Sequence, residues 1–342
     1  MDAEQHTRNP RAIALLSGGL DSTLAVSLML DLGVDVEALN FATIFCNCTN
    51  ARKKQGCGSE ARRVSRLFGI RLMVLNVTPE YIEIVKNPKH GRGSSMNPCI
   101  DCRIFMFRKA KDYMLENGID FVVTGEVPGQ RPMSQHMRAM RLIERESGLE
   151  GLVVRPLSAK LLPPTIPEKE GLIDRERLLD ISGRSRKPQM RLAAEKGITD
   201  YPCPAGGCLL TDKSFGRRLR DLLEHEPDAG VTEIRLLKYG RHIRLPNGSK
   251  IIIGRDKSEN DVLEQFGKGY SKFQVVDSLG PITLAAQNLS EKTKKVIASI
   301  TARYSQGRDK PSLLIRHREN GKEEFFEVAP ADDSELARWR ID

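Results

Sequence analysis

No stretch of this 342-residue chain is long and apolar enough to span a bilayer. The first ten residues, Met1 to Pro10, are polar and lack the apolar core of a secretory signal. Both absences lead us to expect a cytoplasmic protein with no membrane partner. Internal repeats and low-complexity tracts are also missing, which argues against solenoid and disordered classes. The cysteine count is odd, seven, and a disulfide framework is not expected in a reducing compartment. Metal binding, cluster binding or sulfur chemistry suits such cysteines better. What remains is the composition of a globular protein, 39% hydrophobic and 29% charged, long enough for two domains. A net charge of +9 suits a polyanionic partner such as nucleic acid, although an excess of that size also occurs without one.

The most informative string is Ser17-Gly18-Gly19-Leu20-Asp21-Ser22. An apolar run at 12–16 leads into it and a helix-like pattern at 24–30 follows, so it reads as strand, tight turn and helix. Paired glycines let the backbone approach an anion, and the N-terminus of the following helix aims N–H donors at it. The hydroxyls of Ser17, Ser22 and Thr23 add donors. Asp21 is out of place in an anion site unless a divalent metal shares it or it positions a reacting group. The spacing fits neither the Gly-x-Gly-x-x-Gly nor the Walker pattern. It resembles the SGGxDS signature of the ATP pyrophosphatases, the PP-loop family. Those enzymes cleave ATP between the α- and β-phosphates, adenylate a substrate oxygen and hold pyrophosphate in this loop. The resemblance implies ATP and Mg²⁺ as cofactors, with Ser17, Gly18, Gly19, Leu20, Asp21 and Ser22 binding the nucleotide.

Between residues 12 and 125, apolar runs at 12–16, 34–41, 70–77 and 121–124 alternate with helical patterns after Asp21, around 59–68 and around 104–117. This alternation predicts an α/β fold, a parallel Rossmann-like sheet with helices on both faces. Ligands in such sheets sit beyond the C-terminal strand ends. The Ser17 loop, the segment 41–57 and the segment from Gly125 all leave strand ends and are expected to converge. Asn40 and Phe41, closing the second run, are expected to border the adenine. A strand at 152–156, helical stretches at 175–180 and 187–196, and a basic amphipathic helix at 213–225 extend this domain. After a polar tail at 1–10 it occupies residues 11–226, and 227–230 reads as a linker. From 231 to 335 the pattern predicts a smaller α+β domain. Its strands are placed at 231–237, 241–245 and 250–253, with Asn247-Gly248 as a hairpin turn. A helix at 290–304 and a second hairpin, 312–317 with 323–328, complete it.

The cysteines fall into three groups. Cys99 and Cys102 form a Cys-x-x-Cys just before a basic helix, where a thiolate is expected to have a depressed pKa. Cys203 and Cys208 lie in a Pro/Gly-rich loop. Cys46, Cys48 and Cys57 follow the second predicted strand, with spacing that is not diagnostic of a zinc or cluster site. The string Asn97-Pro98-Cys99-Ile100-Asp101-Cys102 resembles the Asn-Pro-x-x-x-Cys segment of tRNA 2-thiouridylases, whose matching cysteine, here Cys102, is one of a catalytic pair. Gly207-Cys208-Leu209, with Asp212 and Phe215, is similar to the region carrying the second. Thr124-Gly125-Glu126-Val127-Pro128-Gly129-Gln130 and Arg155-Pro156-Leu157 resemble stretches of the 4-thiouridine synthetases. These likenesses cover roughly residues 12–223 and leave the choice between the two families open. They imply catalytic roles for Asp21, Cys102 and Cys208, with Gly125 and Gln130 lining the nucleotide or target-base pocket. The RNA-binding domain that precedes the catalytic domain of the 4-thiouridine synthetases and a rhodanese domain are not recognised. Cys99, Cys102 and Cys208 together look like the three-cysteine set by which some PP-loop thiolases hold a [4Fe–4S] cluster with one open iron.

In the C-terminal part, Lys250-Ile251-Ile252-Ile253-Gly254-Arg255 with Asn260-Asp261, then Gly280-Pro281, resembles the RNA-binding domain of NFACT ribosome quality-control proteins. Arg184, Arg186, Lys187 and Arg191 cluster, as do Arg217, Arg218 and Arg220, and such groups are candidates for phosphate contacts. A solvated basic face is the alternative for each. His90, in a Gly/Lys/Arg loop that reads as a lid, and His136, on a basic helical stretch, receive no chemical role.

A ring carbonyl is a poor electrophile with a poor leaving group. Adenylation makes its oxygen part of AMP, which a sulfur nucleophile can displace. The expected function is therefore ATP-dependent tRNA thiolation. Its partners would be tRNA and a sulfur donor such as a cysteine desulfurase or free sulfide, with a homodimer left open. A PP-loop sulfur-inserting enzyme or ligase acting on a small molecule, and a non-catalytic RNA-binding factor, are the alternatives.

Overall fold

The computed structural model describes residues 8–46, 58–201 and 207–341. It divides into two compact units, one running to Thr211 and one from Asp212 onward. The basic helix expected to end the first domain therefore clusters with the second unit.

In the first unit, β1 (Arg11–Leu15) is followed by α1 (Leu20–Asp31), β2 (Asp35–Ala42), α2 (Ser59–Phe68), β3 (Leu72–Asn76) and α3 (Thr78–Lys86). Then come α4 (Cys99–Glu116), β4 (Phe121–Val123), α5 (Met137–Ser147), β5 (Val153–Val154), α6 (Ile166–Lys169) and α7 (Lys187–Glu195). The five strands are parallel in the order β3-β2-β1-β4-β5. Because side chains alternate along a strand, Ala12 and Ala14 enter one core with α1 and α2 residues, while Ile13 enters the other with Phe107 and Ile143. β1 lies at the centre, and the chain leaves it to opposite sides for β2 and β4. Its C-terminal end is therefore the switch point where open α/β sheets bind ligands. The expected α/β class holds. The stretch at 175–180 is helical only over a 3₁₀ turn, Arg175–Arg177, and the expected strand at 152–156 shortens to two residues.

The second unit contains α8 (Lys213–His225), α9 (Val231–Leu236), β6 (Arg241–Arg244), β7 (Lys250–Ile253), α10 (Lys257–Phe266), β8 (Ser271–Val275) and β9 (Ile282–Ala285). It ends with α11 (Glu291–Arg303), β10 (Leu313–Glu319), β11 (Lys322–Val328) and α12 (Asp333–Trp339). Six antiparallel strands run in the order β11-β10-β8-β9-β7-β6. Both expected hairpins form. The expected strand at 231–237 is instead helical: the Gly230 N–H donates to the Glu233 carboxylate at 2.9 Å, closing a helix N-terminus that outweighs the β-branched residues behind it. Among the described residues no helix is long and apolar enough to cross a membrane.

Candidate functional site

The string after β1 forms a tight anion-type turn. Gly18 has φ +78°, and a Cβ there would lie 2.4–2.7 Å from Glu60 and Ala61 atoms of α2, so only glycine fits. Gly19 is the N-cap of α1 and provides no side-chain acceptor, which leaves the first N–H groups of α1 for a ligand. The Ser22 and Thr23 hydroxyls donate to the Gly19 carbonyl, each at 3.0 Å, and Ser17 Oγ lies 3.1 Å from Ser22 Oγ. Gly125, at the end of β4, packs so closely on the turn that a Cβ would sit 2.5 Å from Asp21 and Ser22 backbone atoms. Asn40 is buried and its amide donates to the Leu16 carbonyl at 2.8 Å, which anchors the strand end feeding the turn. Phe41 is half-buried against the core on the α4 side of the sheet.

Asp21 gathers residues from distant segments. Its Oδ2 accepts from Gln130 Nε2 and from Arg186 Nη2, both at 3.1 Å. Its Oδ1 is buried without a hydrogen-bond partner, as are Gln130 Oε1 and Arg186 Nε. Arg186, expected to touch RNA, is thus committed to the loop carboxylate. Arg184, Lys187 and Arg191 are exposed.

The sulfur-bearing residues stand on the same unit. Cys99 and Cys102 occupy the first turn of α4, within the helix and not ahead of it. Cys208 is brought to them by a short bridge: Cys46 pairs with Cys208, and the Leu209 N–H donates to the Phe45 carbonyl at 2.8 Å. Cys99, Cys102 and Cys208 are free. Cys46 is disulfide-bonded, contrary to the expectation for this composition; Cys48, Cys57 and Cys203 lie outside the described residues. The depressed pKa expected at Cys102 does not materialise. Burial pushes the Cys208 thiol up to about 12, with the charges of Cys102 and Cys99 adding to it. Burial also raises Cys102, against a hydrogen bond from Tyr81 and the charge of Arg103. At Cys102 desolvation, with a smaller contribution from Cys99, outweighs the helix N-terminus.

Three further features join the site, and of their residues only Gln130 was expected there from the sequence. Tyr81, on α3, is buried and bonded to Cys102. Arg103, beside Cys102, pairs with the buried Glu126 at 2.8 Å, and Glu126 also binds Arg155 at 3.1 Å. Burial would raise the Glu126 carboxyl, yet the two guanidinium groups hold it below the usual range. Arg155 in turn pairs with Glu144. Finally, the segment from Gln130 to Met133 touches both halves of the site. Gln130 holds Asp21, Arg131 acts on the Cys208 charge, and Met133 Sδ accepts from Asn97 Nδ2 at 3.3 Å, whose amide also reaches Cys99 Sγ at 3.1 Å.

The loop around His90 is held by contacts: the Lys89 and His90 N–H groups donate to Asp101, and the His90 ring lies 3.2 Å from the Glu146 carboxylate. His136 is exposed and caps α5. In the second unit Arg218, expected to touch RNA, is buried and donates to the Leu237 carbonyl at 3.0 Å, which ties it to the unit's core. Arg217 and Arg220 are exposed.

Both cofactor sites can be tested on the residues present. The orphaned Asp21 Oδ1 at the anion turn fits a divalent cation shared with phosphate. Among the described residues no three His, Cys, Asp or Glu groups are arranged to share a single metal ion. The three free cysteines fit a polynuclear group by donor type, and a coordinated cation is what releases thiol protons outright.

Residues 8–160 match the family model described as thiamine biosynthesis protein (ThiI), and residues 240–340 that of the NFACT protein RNA binding domain. A tRNA-specific 2-thiouridylase (MnmA) from Marinobacter nauticus is 27% identical over 237 residues, covering 65% of this chain and 56% of that protein. A probable tRNA sulfurtransferase from Finegoldia magna is 35% identical over 150 residues, 44% of this chain and 36% of that one. The chain thus spans about a third to a half of the length of these two relatives. A solved structure, a 4-thiouridine synthetase–RNA complex with bound ATP, aligns with a TM-score of 0.39 at 22% identity over 67% of this chain and 52% of that one. Residues 8–160 are thus similar to the ThiI family, and residues 240–340 to the NFACT RNA binding domain.

Proposed function

We propose that this protein is an ATP-dependent tRNA sulfurtransferase. The observation that carries the reading is the segment from Gln130 to Met133, which contacts the nucleotide-loop aspartate at one end and the cysteine site at the other. A turn built for pyrophosphate beside three free thiols is what activation by adenylation followed by sulfur transfer requires. The pyrophosphate would rest on the N–H groups of 18–22 and the hydroxyls of Ser17 and Ser22. Asp21 Oδ1 would meet Mg²⁺, with Oδ2 held by Gln130 and Arg186. A uridine carbonyl oxygen attacks the α-phosphorus and pyrophosphate leaves; sulfur then adds at the ring carbon and AMP leaves with the oxygen. Cys99, Cys102 and Cys208 would hold a [4Fe–4S] cluster, which when bound supplies an iron free to carry sulfide. Without one, a sulfur donor such as a cysteine desulfurase would deliver a persulfide to Cys208; its outer sulfur attacks the ring carbon, AMP leaves, and Cys102 breaks the S–S bond, leaving a Cys102–Cys208 disulfide for a reductant to reopen. The NFACT-type domain would grip the RNA.

The test is incubation of the purified chain with ATP, Mg²⁺, sulfide and tRNA lacking thionucleosides, followed by nucleoside mass spectrometry and pyrophosphate assay. We expect one thionucleoside, lost in Cys208→Ser. Pyrophosphate release and sulfur incorporation that ignore tRNA and require a small molecule would overturn the tRNA assignment.

A further inference from the structure

Tyr81 has no place in the reaction so far, yet it is buried against the sulfur site. It is 3% exposed. Its ring meets Phe45 edge-on, with centroids 5.7 Å apart at 79°, and lies nearly parallel to Phe105, 6.4 Å away at 20°. Phe105 belongs to α4, the helix that bears Cys99 and Cys102. Phe45 belongs to the bridge that brings Cys208 in. The ring is thus wedged between the two elements that carry the three sulfurs. At its tip the hydroxyl bonds the Cys102 thiol and lies within the electrostatic reach of all three cysteines. A tyrosine with only a packing role would be served as well by phenylalanine, because a buried hydroxyl with no partner costs stability. Here the hydroxyl's partner is a sulfur.

We propose that Tyr81 is a positioning residue of the sulfur site: its O–H donates to the Cys102 sulfur and holds that sulfur facing Cys208 and Cys99. The assignment rests on the reading of these cysteines as the sulfur-handling set. A donor on a cysteine sulfur also tunes any metal group bound there, because hydrogen bonds to ligating sulfurs set its potential. The ring spaces the two cysteine-bearing elements; the hydroxyl orients one sulfur.

Tyr81→Phe removes the hydroxyl and keeps the ring, while Tyr81→Leu removes both. In the full chain, each cysteine's iodoacetamide labelling rate at one fixed pH is followed by peptide mass spectrometry, alongside the melting temperature and tRNA thiolation kinetics. Tyr81→Phe is expected to slow Cys102 labelling about threefold or more, leave Cys99 labelling and the melting temperature nearly unchanged, and lower kcat with KM for ATP unchanged. Tyr81→Leu is expected to lower the melting temperature as well. Labelling of Cys102 that is the same in Tyr81→Phe and wild type overturns the assignment. If wild type makes no thionucleoside while Cys102 labelling still depends on the Tyr81 hydroxyl, the functional reading fails and the positioning role stands.

Discussion

Single atoms decide what the nucleotide turn tolerates. At Gly125 an added methyl would meet three backbone atoms of Asp21 and Ser22 at 2.5 Å, and backbone cannot swing away as a flexible side chain can. Gly125→Ala is therefore expected to displace the turn from β4. ATP affinity should fall at least tenfold and the melting temperature should drop by several degrees, since overpacking costs about 1–3 kcal/mol. Isothermal titration with a non-hydrolysable ATP analogue checks it, and unchanged affinity would mean that the close approach is not part of the binding site. Asp21→Asn is the complementary case. It keeps the shape and removes the charge that Gln130 and Arg186 hold and that a cation would need. Tighter or equal nucleotide binding with a fall in tRNA-dependent pyrophosphate release of about a hundredfold or more is expected. A variant that still released pyrophosphate at near wild-type rate would remove Asp21 from the reaction.

Among elements, a chain of charges runs beside the apolar packing that joins α5, β4 and α4. Glu144, Arg155, Glu126 and Arg103 form a chain of alternating charge whose centre is buried. Removing the central carboxylate leaves two guanidinium groups without their partner, so Glu126→Ala should destabilise the chain by about 3–5 kcal/mol, as read by urea denaturation; a loss under 1 kcal/mol would show that solvent reaches these arginines. The thiols give a pH test at the same scale. The folded state holds the Cys208 proton up to about pH 12, while an unfolded cysteine loses its proton near 8.5. The native state thus binds more protons between these values, and stability must fall as pH rises through that window. In native protein without metal, Cys208 labelling should stay slow past pH 10 while urea-unfolded protein labels rapidly near 9. Equal profiles would contradict the burial of this thiol. These elements also mark what a sequence can reveal. The turn at 17–22 is legible because strand, glycines and helix start are contiguous. The Glu126 chain and Tyr81 are not, because residues 81, 102, 126 and 155 meet only after α3, α4 and β4 have packed. The error at 231–236 has the same origin in reverse: Val231, Thr232 and Ile234 favour strand individually, and the Glu233 carboxylate on the Gly230 N–H decides for helix.

For the whole molecule, the surplus of positive charge, +9 over 342 residues, is useful to an RNA enzyme only where cations are free to meet phosphate. The basic clusters do not contribute alike. Arg186 is held by Asp21 and Arg218 by the Leu237 carbonyl, whereas Arg217 and Arg220, on the outer face of α8, are exposed. Proximity in sequence thus groups Arg217, Arg218 and Arg220, but folding separates one structural cation from two solvated ones. If the chain grips tRNA through solvated cations, affinity should weaken linearly in log–log plots against salt, each phosphate contact adding about one to the slope. The double variant Arg217→Ala/Arg220→Ala should then lower the slope by about two and leave the melting temperature in place. Arg218→Ala should do the reverse, keeping the slope while losing about 1–3 kcal/mol of stability from the stranded carbonyl and the lost packing. Filter binding of tRNA across a salt series, paired with thermal melts, separates the two. A slope unmoved by the double variant would take α8 out of the RNA interface and leave the remaining exposed cations of the chain to provide it.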